Sequence, residues 1–225
     1  MRFTDLLYKK NKDLWDLQLN HPFIREMGEG TLDVAKFRFY AKENYKYLKA
    51  YARVLAAAVS RSREEDMMKK LLELLNFTVN VEIDLNRNYA LELGVSIKEL
   101  ENEEMAPVTK AYSDHLLSAA GEGLCEVLVA VLPCYWGYHE VFTSLKSRIS
   151  KKINAIYSRT IDLYSGEEGK KVTVLLRGII DRLAKEVGDS EKKKLEEIFR
   201  MSSRYEYLFW DAAYNLIMWP DVGRG

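Results

Sequence analysis

The segment from Thr31 to Arg61, TLDVAKFRFYAKENYKYLKAYARVLAAAVSR, contains no proline or glycine. Phe37, Tyr40, Tyr47, Leu48, Tyr51 and Leu55 recur in it at helical spacing, so the segment predicts one long amphipathic helix. Such a helix must bury its apolar stripe against other elements, and the remaining sequence supplies more helices. Ser62 and Glu65 predict a capping box ahead of MMKKLLELLNFTVNVEIDLNRNYALEL, and Gly94 predicts its stop. Ser96 and Glu99 repeat the box for a shorter helix. Pro107 suits a helix start and Gly121 its end. A helix from about Glu122 to Ile149 carries Pro133, which predicts a kink before Cys134. Further helices are expected near 152–164 and 167–187, and from about Ser190 to Asn215. No window alternates with period two long enough to make a strand. The expectation is an all-α bundle of seven or eight helices, forming a single domain over residues 1–225.

At 225 residues and 48% hydrophobic, the chain can bury a sizeable core. Its formal net charge of +0 argues against nucleic acid or an anionic membrane surface as a partner. The basic pairs and runs Lys151-Lys152 and Lys192-Lys193-Lys194 read as solvated helix faces. The apolar run from Val127 to Tyr138 is short of the ~20 residues a membrane span needs. With two cysteines and no export signal, a reduced cytoplasmic protein is expected. Along one helix Cys125 and Cys134 would lie about 13.5 Å apart, at ~1.5 Å per residue, too far for a disulfide.

The chemistry-bearing residues stand out against this helical background. Fourteen tyrosines are present, and Tyr40, Asn44, Tyr47 and Tyr51 form one helical stripe. In LPCYWGYHE, Cys134 and Tyr138 are four residues apart, so the phenol can reach the sulfur. Glu206 sits within YEYLFW, three and four residues before Phe209 and Trp210. A carboxyl among aromatics has its pKa raised by desolvation and can serve as an acid near neutral pH. Aromatics on converging faces suit a core equally well, but buried tyrosine hydroxyls need partners, which favours a pocket with polar contents. The residues three before His21, His115 and His139 are Gln18, Tyr112 and Trp136, so the Glu-x-x-His pairs of a di-iron bundle are absent. No P-loop, dinucleotide fingerprint or Gly-x-Ser-x-Gly elbow occurs. His21 is a helix-entry residue or a haem ligand.

HPFIREMGEGTLDVAKFRFY, AYSDHLLSAAGEGLCEVLVAVLPCYWGYHEV, TIDLYSG and SSRYEYLFWDAAY together resemble the TenA/thiaminase II family, in the family's order and across nearly the full chain. The resemblance implies a haem-oxygenase-like helical fold and cofactor-free hydrolysis of a 5-substituted 4-amino-2-methylpyrimidine. The substrate would be aminomethylpyrimidine or thiamin, the product hydroxymethylpyrimidine for thiamin salvage, and the assembly a homotetramer. It also implies Cys134 as nucleophile, Tyr138 as its hydrogen-bonding phenol and Glu206 as the acid on the ring nitrogen. Asn44, Tyr47, Tyr112, Tyr164 and Phe209 would contact substrate, and no metal is implied.

The chemistry suits these residue types. Sulfur addition beside N1, with N1 protonated, breaks the ring's aromaticity and lets it expel the C5-methylene substituent. A free thiol has a pKa of about 8.5 and needs help to ionise. Two positions depart from the family: Asn44 stands where Asp is usual, and Asn86 in EIDLN where His is common. The adjacent Glu43 cannot replace that Asp, since one residue turns ~100° around a helix. The Asn44 amide can donate to N3 and accept from the 4-amino group, as Asn does toward adenine. The competing readings are a haem or redox-cofactor protein on the same fold, and a catalytically silent pyrimidine-binding or regulatory protein.

Overall fold

Helices account for all regular structure among the described residues of this computed structural model, 1–150 and 153–221. Three short helices open the chain: α1 (Phe3–Lys10), α2 (Lys12–Leu19) and α3 (Pro22–Glu29). His21 caps α3, its Nδ1 accepting from the Phe23 N–H at 3.1 Å, with Pro22 at the first helical position. Gly30 ends that helix at φ 77°, a left-handed turn that favours glycine. Asp33 then caps the long helix α4 (Val34–Arg61) by accepting from the Ala35 N–H at 2.8 Å.

The next rod holds two findings that the sequence pattern did not reveal. It is α5 (Glu65–Phe77), a π-helical turn (Thr78–Glu82) and α6 (Ile83–Glu92) in direct succession. In the π turn the Ile83 N–H bonds the Thr78 carbonyl, five residues back. The expected capping box at Ser62 and Glu65 does not form. Ser62 instead completes α4, donating its N–H to Ala58 and Val59, so the first turn of α5 begins after Glu64.

Helix α7 (Ile97–Asn102) has the Ser96–Glu99 capping box, and Pro107 starts α8 (Pro107–Glu122). The break after α8 falls at the extended Gly123 rather than at Gly121, which lies inside the last turn. Helix α9 (Leu124–Lys146) runs through Pro133 without interruption. The chain ends with α10 (Ala155–Ser165), α11 (Glu167–Leu183) and α12 (Asp189–Asn215). The Lys151-Lys152 pair lies outside the described residues; Lys193 and Lys194 are solvent-facing on α12, and Lys192 is half-buried.

All the expected helical segments are present, and the short α1–α3 are additional. Helix α9 sits at the centre, packed on α8, α10, α11 and α12 and touching α2, α3 and α4. Its run from Glu126 to Pro133 is buried on every side, as expected of a helix apolar all round. Tyr51 ties α4 to it, donating to the Val131 carbonyl at 3.1 Å. A buried ion pair, Lys46 Nζ to Glu43 Oε1 at 2.7 Å, fixes the approach to α8. Lys46 also donates to the Glu104 carbonyl, and Glu43 Oε2 accepts from the Ala106 N–H at 2.8 Å. Glu43 is therefore committed to the 104–106 loop, one helical step away from the Asn44 stripe. No helix among the described residues is long and apolar enough to cross a membrane.

Candidate active site

Five helices bring the expected residues to one place. Helix α9 supplies Cys134 and Tyr138, α12 supplies Glu206 and Phe209, and α4 supplies Asn44 and Tyr47. Tyr112 comes from α8 and Tyr164 from α10. All are buried except Cys134, which keeps some accessible surface although it lies deep inside the bundle. Accessible surface at such depth means that Cys134 borders an internal space. The broad surface clefts, such as the one lined by Arg2, Asp5, Asp181 and Lys192, contain none of these side chains.

Aromatic contacts build the wall. The Tyr47 ring stacks on Tyr112 at 4.9 Å between centroids and meets Phe209 at 5.8 Å. Tyr138 packs edge-on against Tyr164 at 4.9 Å and, tilted by 32°, against Trp210 at 5.1 Å. Tyr40, which the sequence reading placed only in the stripe, stacks on Trp210 at 5.3 Å. Such pairs contribute about 0.5–1.5 kcal/mol each beyond burial and hold the rings in fixed directions.

The polar groups are held just as firmly. Tyr112 donates to Glu206 Oε1 at 2.5 Å. Burial pushes the Glu206 carboxyl up to about 7, against hydrogen bonds from Tyr112 and Cys134 that lower it. The Cys134 thiol is pushed well above its ordinary range by burial first, then by the charges of Glu206 and Glu82. The Tyr47 hydroxyl is near the sulfur and opposes that shift, and it is a buried hydroxyl with no hydrogen-bond partner among the described residues. Tyr138 lies in the same place, its phenol close to that of Tyr40, and both Tyr138 and Tyr47 are near enough to Cys134 to act on the thiol. At neutral pH the site therefore holds a neutral thiol beside a half-ionised carboxyl.

Glu82 is a functional candidate that the sequence reading passed over. It is buried at the end of the π turn, where Oε2 accepts from Thr78 Oγ1 and from the Tyr135 hydroxyl, each at 2.9 Å. Burial raises its pKa, and Thr78, Tyr135 and Tyr164 hold it down by hydrogen bonding. Thr78, Glu82 and Asn86 recur every fourth residue, and that polar stripe was the available signal. The two positions marked as departures also meet: Asn44 Nδ2 donates to Asn86 Oδ1 at 3.0 Å. Asn44 Nδ2 donates to the Tyr40 hydroxyl as well, at 3.3 Å, so its amide hydrogens are already engaged. The expected donation from Asn44 to a ring N3 is not open in this arrangement.

His21 is spent on capping α3 and packs against Tyr207 and Tyr214. Among the described residues, no group of three or more His, Cys, Asp or Glu is placed to hold a metal ion. Cys125 and Cys134 are both free thiols, as their spacing predicts.

Comparison with known proteins adds four likenesses. The TENA/THI-4/PQQC family pattern matches residues 8–216. An aminopyrimidine aminohydrolase from Halalkalibacterium halodurans is 40% identical over 97% of this chain and 98% of its own. A TenA homologue from P. horikoshii superposes with a TM-score of 0.87 at 30% identity, over 96% of this chain and 99% of the other. At 15% identity, a Shewanella denitrificans domain with a heme oxygenase-like fold superposes with a TM-score of 0.73 over 96% of this chain and 93% of the other, a likeness of fold alone.

Proposed function

The chain belongs to the TENA/THI-4/PQQC family, and we propose that it hydrolyses a 5-substituted 4-amino-2-methylpyrimidine, such as aminomethylpyrimidine or thiamin, to hydroxymethylpyrimidine for thiamin salvage. The observation that carries this reading is the placing of the Cys134 thiol beside the buried Glu206 carboxyl, among the rings of Tyr47, Tyr112, Tyr138 and Phe209. Relatives named aminopyrimidine aminohydrolase support the substrate class.

Cys134 is the nucleophile, and its proton has a defined path. The thiol is neutral at rest, so sulfur attack on the ring carbon beside N1 must shed a proton as the C–S bond forms. Ionised Glu206 accepts that proton and delivers it to N1, so no free thiolate is needed. The electron pair gained by the ring then expels the C5-methylene substituent: an amine takes a proton from the incoming water as it leaves, and the thiazolium of thiamin leaves as neutral thiazole. Water adds to the methylene, and the C–S bond breaks with return of the proton to sulfur. Tyr112 keeps the Glu206 carboxyl aimed, while Tyr47, Tyr138, Tyr164 and Phe209 sandwich and orient the ring. Asn44 faces the 4-amino group. The residues act without a cofactor, in a single domain over 1–225 that assembles as a homotetramer in the cytoplasm.

The test is incubation of the purified protein with aminomethylpyrimidine and, separately, thiamin, with chromatographic detection of hydroxymethylpyrimidine. Release of that product from either supports the reading; consumption of neither refutes it. Light scattering during gel filtration tests the tetramer.

A further inference from the structure

The amide of Asn86 has only one satisfactory orientation. Its Nδ2 donates to the backbone carbonyl of Glu82 at 2.8 Å. A main-chain carbonyl inside a helical rod cannot donate and cannot turn, so the opposite end of the Asn86 amide must be its oxygen. That oxygen accepts from Asn44 Nδ2 at 3.0 Å. The second Nδ2 hydrogen of Asn44 is directed to the Tyr40 hydroxyl at 3.3 Å. An asparagine nitrogen carries two hydrogens, and both are used. Oδ1 is thus the polar atom of Asn44 left without a protein hydrogen bond among the described residues. Turning Asn44 over would oppose two amide oxygens, and turning Asn86 over would set its oxygen against the Glu82 carbonyl. Each arrangement leaves buried polar atoms unmatched, which costs more than the lost bond.

We propose that Asn86 is a positioning residue that sets specificity: it locks Asn44 so that this subsite presents an uncharged acceptor, which selects a ring amine and rejects a ring carbonyl at the same position. The proposal rests on the aminopyrimidine reading and deepens it. An amine places an N–H against Oδ1, whereas a carbonyl places oxygen against oxygen. A site built to satisfy one hydrogen-bonding pattern discriminates strongly against the reversed one.

Titration calorimetry with 4-amino-2,5-dimethylpyrimidine and its 4-oxo counterpart tests this without turnover, because neither carries a leaving group. The parent protein should prefer the amine by about a hundredfold, and the Asn86→Leu protein should lose about tenfold of that preference as Asn44 gains freedom to turn. An Asn44→Asp change supplies a second, independent readout. Its carboxylate would face the fixed Asn86 oxygen, so affinity for the amine should fall about tenfold, although a carboxylate is itself a good acceptor. Adding Asn86→His, whose ring N–H can donate toward position 44, should restore most of the loss. If the parent binds neither pyrimidine, the substrate reading and this proposal both fall. If the parent prefers the amine but the preference is unchanged in Asn86→Leu, this proposal alone falls. It falls equally if Asn44→Asp costs nothing or if Asn86→His does not restore binding.

Discussion

At the scale of single residues, the proposed chemistry depends on one proton shared between Cys134 and Glu206. Replacing Cys134 by serine should abolish turnover while ligand binding largely survives, since a hydroxyl is far less acidic than a thiol. Calorimetry alongside a product assay checks both halves, and normal turnover would remove covalent catalysis. Glu206 must be ionised to take the thiol proton, and its pKa is about 7. The expected profile of kcat/KM therefore rises with pH through about 7. Glu206→Gln should lower the rate on the order of a hundredfold or more and erase that limb. A retained limb would assign it to another group. Cys134 and Glu206 were legible in the sequence because each is an odd residue in an apolar setting. Glu82 was not, because nothing in EIDLN sets it apart from the acidic Asp84 two residues on, and the π turn that carries it left no pattern.

At the scale of elements, helix existence was plain from spacing and breakers, whereas ends and interruptions were not. Ser62 and Glu65 have the right types for a cap, yet the N–H of Ser62 is consumed in ending α4. Gly121 looked like the stop of α8 because sequence alone cannot weigh it against Gly123. The π turn left no pattern, since inserting one residue between two helical stretches changes no local composition. It is nonetheless what holds Glu82 against Thr78 and Tyr135, whose hydroxyls lie 2.7 Å apart. Thr78→Val keeps the shape but removes the hydroxyl, leaving Glu82 and Tyr135 each short of a partner. The expected cost is about 1–3 kcal/mol in urea unfolding. A change under a few tenths would mean that Glu82 does not depend on the turn. Lys46→Met makes a stronger demand, because it leaves Glu43 buried without its cation. Its expected cost is about 3–5 kcal/mol, and Glu43→Gln on the same background should recover part of it.

At the scale of the whole molecule, the site imposes a pH dependence on stability. Glu206 has a folded pKa of about 7 against an ordinary 4.5, because burial disfavours its charge. The fold thus binds this proton more tightly than the unfolded chain does. Its contribution is complete below pH 4.5 and is lost as pH rises through about 7. The full difference is about 3 kcal/mol at ~1.4 kcal/mol per pH unit, and Glu82 acts in the same direction. Urea unfolding at pH 5 and pH 8 should show this loss in the parent and a much smaller one in Glu206→Gln; equal slopes would contradict it. The depth of Cys134 has another consequence, for chemical durability. Peroxide and alkylating reagents attack thiolates, and here the sulfur carries its proton at rest and sits among buried side chains. The protein should therefore outlast exposed-thiol enzymes in oxidants and iodoacetamide, reserving its reactive sulfur for a guest that accepts the proton on arrival.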